Sequence, residues 1–251
     1  MAAENEGTTT ATASPLETGY WAESARPWVS LLFVIPMLMI YELGVLALGP
    51  SAIRNGVDVW LRQFLIVLGF GQYFLLPLLT CGILLAWHHL REHPWGVSAK
   101  VFPLMLAESA ALGLILLILA HWQASLMRLE VLASFAEPEA MATGRKVVAY
   151  FGAGIYEELL FRLMLVPALW YVFVLFCFPR QIAIVLAVFT SSLIFSAAHY
   201  DFFIPGGDPF STYTFLFRFT AGILFAAIFA TRGFGIAAGS HALYDVFVAF
   251  S

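Results

Sequence analysis

Glu157, Glu158 and Arg162 stand in the stretch GIYEELLFRLML, residues 154 to 165, whose other members are almost all apolar. Ionisable groups at membrane depth cost about 2.5–3.5 kcal/mol each on insertion scales, so they persist there for structure or for chemistry. Glu158 and Arg162 are four residues apart, share one helix face and can neutralise each other. Glu157 is rotated by about 100° from Glu158 and has no such partner on its own helix. It is the carboxylate whose proton affinity its surroundings must set, which is the property of a general base. Further along, His199 follows Phe195 by four residues and shares a face with that ring, while His241 and Asp245, again four apart, can present an imidazole and a carboxyl group to one side. Gly235 and Gly239 form a G-x-x-x-G step that admits a neighbouring helix, and Gly152 and Gly154 offer similar access beside Glu157. Each pair taken alone is also what packing between membrane helices produces. Three polar elements in three different apolar segments are harder to explain as packing, and small residues beside them suggest that the helices meet where the polar groups converge.

These residues need a scaffold in lipid. The chain has 251 residues, 61% apolar and only 11% charged, with a mean hydropathy of +0.88, whereas soluble domains carry charge on about a quarter of their residues. Several separate apolar runs approach the roughly 20 residues that a membrane helix requires, too many for a signal peptide or a single anchor. The expected fold class is all-α, a polytopic bundle of about seven spans plus one interfacial amphipathic helix, in an integral multi-pass membrane protein. A net charge of −4 without a basic cluster argues against nucleic acid as a partner. Cys81 and Cys177 lie in apolar runs without zinc or disulfide spacing and read as small buried hydrophobes.

Residues 1–27, rich in Thr, Ser, Ala and Glu, read as a disordered polar tail, and residues 28–144 as an N-terminal transmembrane scaffold. The first span runs from about Trp28 to Leu48 and carries Glu42. In the next segment Arg54, Asp58 and Arg62 recur every four residues opposite Val57, Trp60, Leu61, Phe64 and Leu68, the pattern of a helix lying in the interface. The second and third spans cover about Gln72 to Trp87 and Val101 to His121. Between them HHLREHPW suits the headgroup level; its histidines could take up a metal adventitiously, but an interfacial anchor is the better explanation. A mixed connection, residues 123–146, leads to the polar-studded core, residues 145–251. There the fourth span, about Val147 to Leu165, continues past Pro167 as a kinked extension or a separate short helix. The fifth span is about Gln181 to His199, the sixth 211–230, and the seventh follows to the end.

The three polar elements resemble the motifs of the CPBP intramembrane proteases, the CAAX-protease and bacteriocin-processing family that includes the type II CAAX prenyl endopeptidases. EELLFR (Glu157 to Arg162) resembles the first motif, FSAAH (Phe195 to His199) the second and HALYD (His241 to Asp245) the third, over about residues 145–251. The resemblance implies peptide-bond hydrolysis at the membrane, with Glu157 as base for water, His199 assisting, and His241 and Asp245 stabilising the tetrahedral intermediate. Glu158, Arg162 and Phe195 would support them. No Ser, Cys or Thr stands in an evident nucleophile arrangement, which favours direct attack by water. Family members often carry Asn where this chain has Asp245; Asn can donate to an oxyanion, whereas Asp does so only when protonated. A divalent metal such as zinc on His199, His241 and Glu157 is an open alternative, and the metal-free version is slightly favoured because H-E-x-x-H is absent. The implied partners are the bilayer and a membrane-associated protein or peptide, of which prenylated CAAX-type chains are one kind. Two other functions stay open: a proton-coupled transporter, which repeats would favour although the two halves show no convincing similarity, and a catalytically silent binding or immunity protein.

Overall fold

The computed structural model describes residues 19–127, 143–201 and 207–250. Its elements are α1 (Tyr20–Ser24), α2 (Pro27–Leu48), α3 (Gly56–Val67), α4 (Leu75–Leu90), α5 (Val101–Leu126), α6 (Thr143–Glu158), a π-helical segment (Leu159–Leu165), α7 (Val166–Leu175), α8 (Arg180–Ala197) and α9 (Thr212–Ala249). Among the described residues there is no strand, only one isolated bridge between Tyr200 and Asp208. Among the described residues five helical runs are long and apolar enough to cross a bilayer, Pro27–Ser51, Val101–Leu126, Gly144–Leu175, Arg180–Ala197 and Thr212–Ala249, with Leu75–Leu90 a shorter apolar helix. The fourth span and its extension are one run, in which Pro167 stands at the start of α7 directly after the π-helical segment Leu159–Leu165.

The expected sixth and seventh spans are the two arms of α9. Gly233 has φ 81° and ψ 179°, a conformation closed to residues with a Cβ, and it reverses the chain. The reversal is visible in the ring pairs across it, Phe217 with Tyr244 at 5.6 Å and Phe225 with His241 at 4.5 Å. The second arm, 234–249, is the centre of the bundle. Gly235 lies against Ser30 of α2 and Met105 of α5, and Gly239 against Ser109 of α5 and Phe33 of α2. Gly154 of α6 lies so close that a Cβ there would be 2.5 Å from the Ala238 carbonyl oxygen and 3.0 Å from the Ala242 nitrogen. Backbone atoms cannot yield as a flexible side chain would. Gly154→Ala is therefore expected to cost about 1–3 kcal/mol, seen as a lower unfolding temperature in detergent. An unchanged temperature would mean that the two helices can separate here without loss.

The molecule carries its apolar side chains outward. Val67, Leu78, Ile118, Leu175 and Phe176 are among the exposed large hydrophobics, while Glu42, Asp58, Ser109, Glu157, Glu158, Arg162, Arg232 and His241 are buried. This suits a solvent of lipid, in which polar groups must find partners inside the protein. The helix expected at the interface, α3, follows the same rule: Phe64 and Val67 face out, and Asp58 is fully buried. Asp58 accepts from Tyr41 Oη at 2.8 Å, Arg54 Nη1 at 2.8 Å and Arg62 Nε at 2.6 Å. Arg62 Nη2 also donates to Glu42 at 2.8 Å, which in turn accepts from Tyr156 Oη of α6 at 2.5 Å. Burial would lower the Arg62 pKa, but the Asp58 and Glu42 carboxylates raise it above the ordinary arginine value. The polar stripe of α3 thus bolts it to α2 and α6.

Residues 1–18 of the segment read as a polar tail lie outside the described residues, and Tyr20–Ser24 form α1. Tyr20 hydrogen-bonds Glu108, and Arg232, at the α9 reversal, donates to Glu108 Oε1 at 2.5 Å and to Ser24 Oγ at 2.8 Å. Most of the connection 123–146 lies outside the described residues. Cys81 is half-buried against the main core, but Cys177 is exposed, which corrects its reading as a buried hydrophobe. It lies two residues past the end of α7, with φ 64°. The histidine cluster is an aromatic knot in which His88 accepts from the Trp28 N–H at 3.3 Å and meets the Trp95 ring edge-on at 4.3 Å.

Candidate active site

The α6 helix delivers Glu157 and Glu158 to the bundle interior at the point where its hydrogen bonding loosens into the π-helical segment Leu159–Leu165. Such segments are rare and frequent at functional sites. Both carboxylates are buried. Glu158 is shared between two partners: His241 Nδ1 donates to its Oε1 at 2.8 Å, and Arg162 Nη1 lies 3.2 Å from the same oxygen. The Glu158–Arg162 pair expected along the helix is therefore present, and it also reaches across to α9. Arg162 Nη2 donates to the Gly222 carbonyl at 3.2 Å, and its guanidinium lies 4.2 Å from the centroid of the Phe195 ring. Phe195 packs edge-on against Phe161 at 5.2 Å and His199 at 5.0 Å, forming the apolar floor beneath the polar groups.

Glu157 faces the other partners. Its Oε2 is 3.6 Å from His199 Nε2 and 3.8 Å from His241 Nε2, and His241 Nε2 is 3.8 Å from Asp245 Oδ2. The structure thus brings Glu157, His199, His241 and Asp245 together from α6, the end of α8 and the second arm of α9. Each histidine is fixed through its other nitrogen. His199 Nδ1 is 2.7 Å from the Phe195 carbonyl oxygen; a carbonyl can only accept, so Nδ1 carries the proton and neutral His199 offers Nε2 as an acceptor. His241 Nδ1 donates to Glu158, and its ring is stacked on Phe225 with an interplanar angle of 18°. With a proton on each nitrogen, His241 can also donate from Nε2.

All four side chains line a cavity of about 990 Å³ whose wall also includes Arg54, Asn55, His121, Lys146 and Arg218. Asn55 was not legible as a site residue. Its place before α3 is a helix-start signal, and its Oδ1 does accept from the Val57 N–H at 2.9 Å. Nothing in the sequence indicates that its Nδ2 reaches across to donate to Glu157 Oε1 at 2.7 Å. Phe225, the ring stacked on His241, was missed for the same reason: both contacts depend on tertiary placement.

A zinc site would need several donors converging on one point about 2.0–2.2 Å from each. Among the described residues no group of three or more His, Cys, Asp or Glu is disposed to hold a metal ion, although the Nδ1 contacts of His199 and His241 leave both Nε2 atoms turned toward Glu157.

Residues 141–247 match the family model described as type II CAAX prenyl endopeptidase Rce1-like. The matched segment holds all three motifs and leaves the N-terminal helices α1 to α5 outside it. No curated protein and no solved structure matches the chain.

Proposed function

We propose that this Rce1-like integral membrane protein is an intramembrane endopeptidase that hydrolyses peptide bonds of membrane-associated proteins or peptides, prenylated CAAX-type chains among them, by activated water. The observation that carries this reading is the convergence of Glu157 Oε2 with His199 Nε2 at 3.6 Å and His241 Nε2 at 3.8 Å on the wall of one cavity.

Water admitted to the cavity gives a proton to Glu157 Oε2 as its oxygen attacks the carbonyl carbon of the substrate. His199 Nε2, a hydrogen-bond acceptor, orients that water. The carbonyl π pair moves to oxygen, and the resulting oxyanion accepts from His241 Nε2–H, whose ring is held by Glu158 and Phe225. Asp245 stands beside His241 and offsets its charge. Collapse of the intermediate breaks the C–N bond while Glu157 returns its proton to the departing nitrogen, leaving an acid and an amine. The two adjacent carboxylates thus divide the chemistry, with Glu157 moving protons and Glu158 fixing the donor.

The test is a farnesylated peptide ending in a CAAX sequence, incubated with the protein in liposomes and followed by mass spectrometry. A C-terminally shortened product is expected, and its rate should stay within about twofold when EDTA is added, because no step passes through a metal. An intact peptide, combined with solute uptake into the same liposomes, would replace this function with transport. The effect of Asp245 is separately measurable. Asp245→Asn keeps the shape and supplies a neutral donor to the oxyanion, so cleavage should persist within about tenfold of the wild-type rate, whereas Asp245→Leu should lose far more. Equal loss in both would mean that the negative charge on Asp245 is indispensable.

A further inference from the structure

Glu157 is held from outside the helices that carry the motifs. Its Oε1 accepts from Asn55 Nδ2 at 2.7 Å, leaving Oε2 as the oxygen that faces His199 and His241. A carboxylate on one flexible stem has two equivalent oxygens and several rotamers; a donor fixed to one oxygen selects which one meets the histidines. Asn55 is itself fixed three times over. Its Oδ1 accepts from Val57 N–H at 2.9 Å and lies 3.4 Å from Asp58 N, its own N–H lies 3.3 Å from Tyr41 Oη, and Tyr41 is anchored on Asp58. The side-chain oxygen is thus spent on the cap, and the amide nitrogen can only point at Glu157.

From this geometry we infer that Asn55 is the positioning residue for the Glu157 carboxylate, supplied by the interfacial helix α3, so that the active site is completed by the N-terminal scaffold rather than contained in residues 141–247. The inference rests on the endopeptidase reading above. It explains why the polar stripe of α3 is turned inward: Asp58, Arg54, Arg62 and Glu42 hold the helix start at a fixed place beside α6. It also assigns work to a part of the chain that the family match does not reach.

The variants must separate positioning from capping. Asp and Ser both cap helices about as well as Asn, and neither can donate an amide N–H to Glu157. In the farnesylated CAAX peptide assay, Asn55→Ser is expected to lower kcat on the order of tenfold, and Asn55→Asp, which sets a like charge against Glu157, on the order of a hundredfold. KM should change by less than about twofold, since the substrate need not touch Asn55, and the unfolding temperature in detergent should match that of the wild type, since the cap is kept. A wild-type kcat in both variants would overturn the inference, and so would a kcat loss that only tracks a fall in unfolding temperature. Glu157→Gln serves as the control: if it cleaves normally the endopeptidase mechanism itself is wrong, whereas an inactive Glu157→Gln beside fully active Asn55 variants removes only the role given to Asn55.

Discussion

Glu157→Gln is expected to reduce cleavage of a membrane-associated peptide by at least about a thousandfold while leaving the protein folded in the membrane. Glutamine occupies nearly the same volume and can still meet Asn55 through its amide oxygen, so the packing around this buried position has little reason to change. What it lacks is the capacity to take a proton from water. General base catalysis contributes roughly 10²–10⁴-fold by itself, and here the same carboxylate also returns the proton to the leaving nitrogen, so both halves of the reaction fail. The measurement is the rate of product formation in liposomes with protein of matched amount and unfolding temperature. Retained cleavage would remove the base from Glu157.

Glu158→Ala should fail for a different reason. It strips Arg162, which is 1% exposed, of its carboxylate partner, and leaves His241 Nδ1–H without an acceptor. Removing one member of a buried ion pair typically costs about 3–5 kcal/mol, because the other charge remains desolvated. The Gly222 carbonyl and the Phe195 face stay in place for Arg162, but neither carries a full negative charge. A marked fall in unfolding temperature is expected, together with loss of cleavage as His241 turns away from the cavity. Glu158→Ala paired with Arg162→Leu should recover part of the stability, since no charge is then stranded, without recovering activity. A Glu158→Ala protein that melts and cleaves like the wild type would show that the Glu158, Arg162 and His241 contacts are dispensable.

The legible part of this site was the part written within single helices. Four-residue spacing placed Glu158 with Arg162, Phe195 with His199, and His241 with Asp245, and helical geometry alone makes those pairs neighbours. The glycines beside them announced that backbones could touch, and Gly154 does meet Ala238 and Ala242. The apolar runs gave the spans and the amphipathic stripe gave α3. Which way that stripe faces was not legible, because an interfacial helix with one polar side can turn it to water or to a polar interior; the Asp58 network decides for the interior. The break at Gly233 was legible only as a gap between two spans. That the arms fold onto each other, stacking Phe225 on His241, is a property of the positive φ at one glycine and of Arg232 fastened to Glu108 beside it. Asn55 drew no notice in the sequence as a partner of a residue 102 positions away, since a side-chain contact between distant segments leaves no mark on sequence spacing.

The most direct test of the central claim is a hydrolysis measured atom by atom. Purified protein in liposomes would be given the farnesylated CAAX peptide in water enriched in oxygen-18, and the products weighed by mass spectrometry. The account predicts two fragments, with one heavy oxygen in the newly formed carboxyl group and none incorporated into either fragment when Glu157→Gln replaces the wild type. An uncleaved peptide with wild-type protein, or equal heavy-oxygen incorporation with Glu157→Gln, would contradict it.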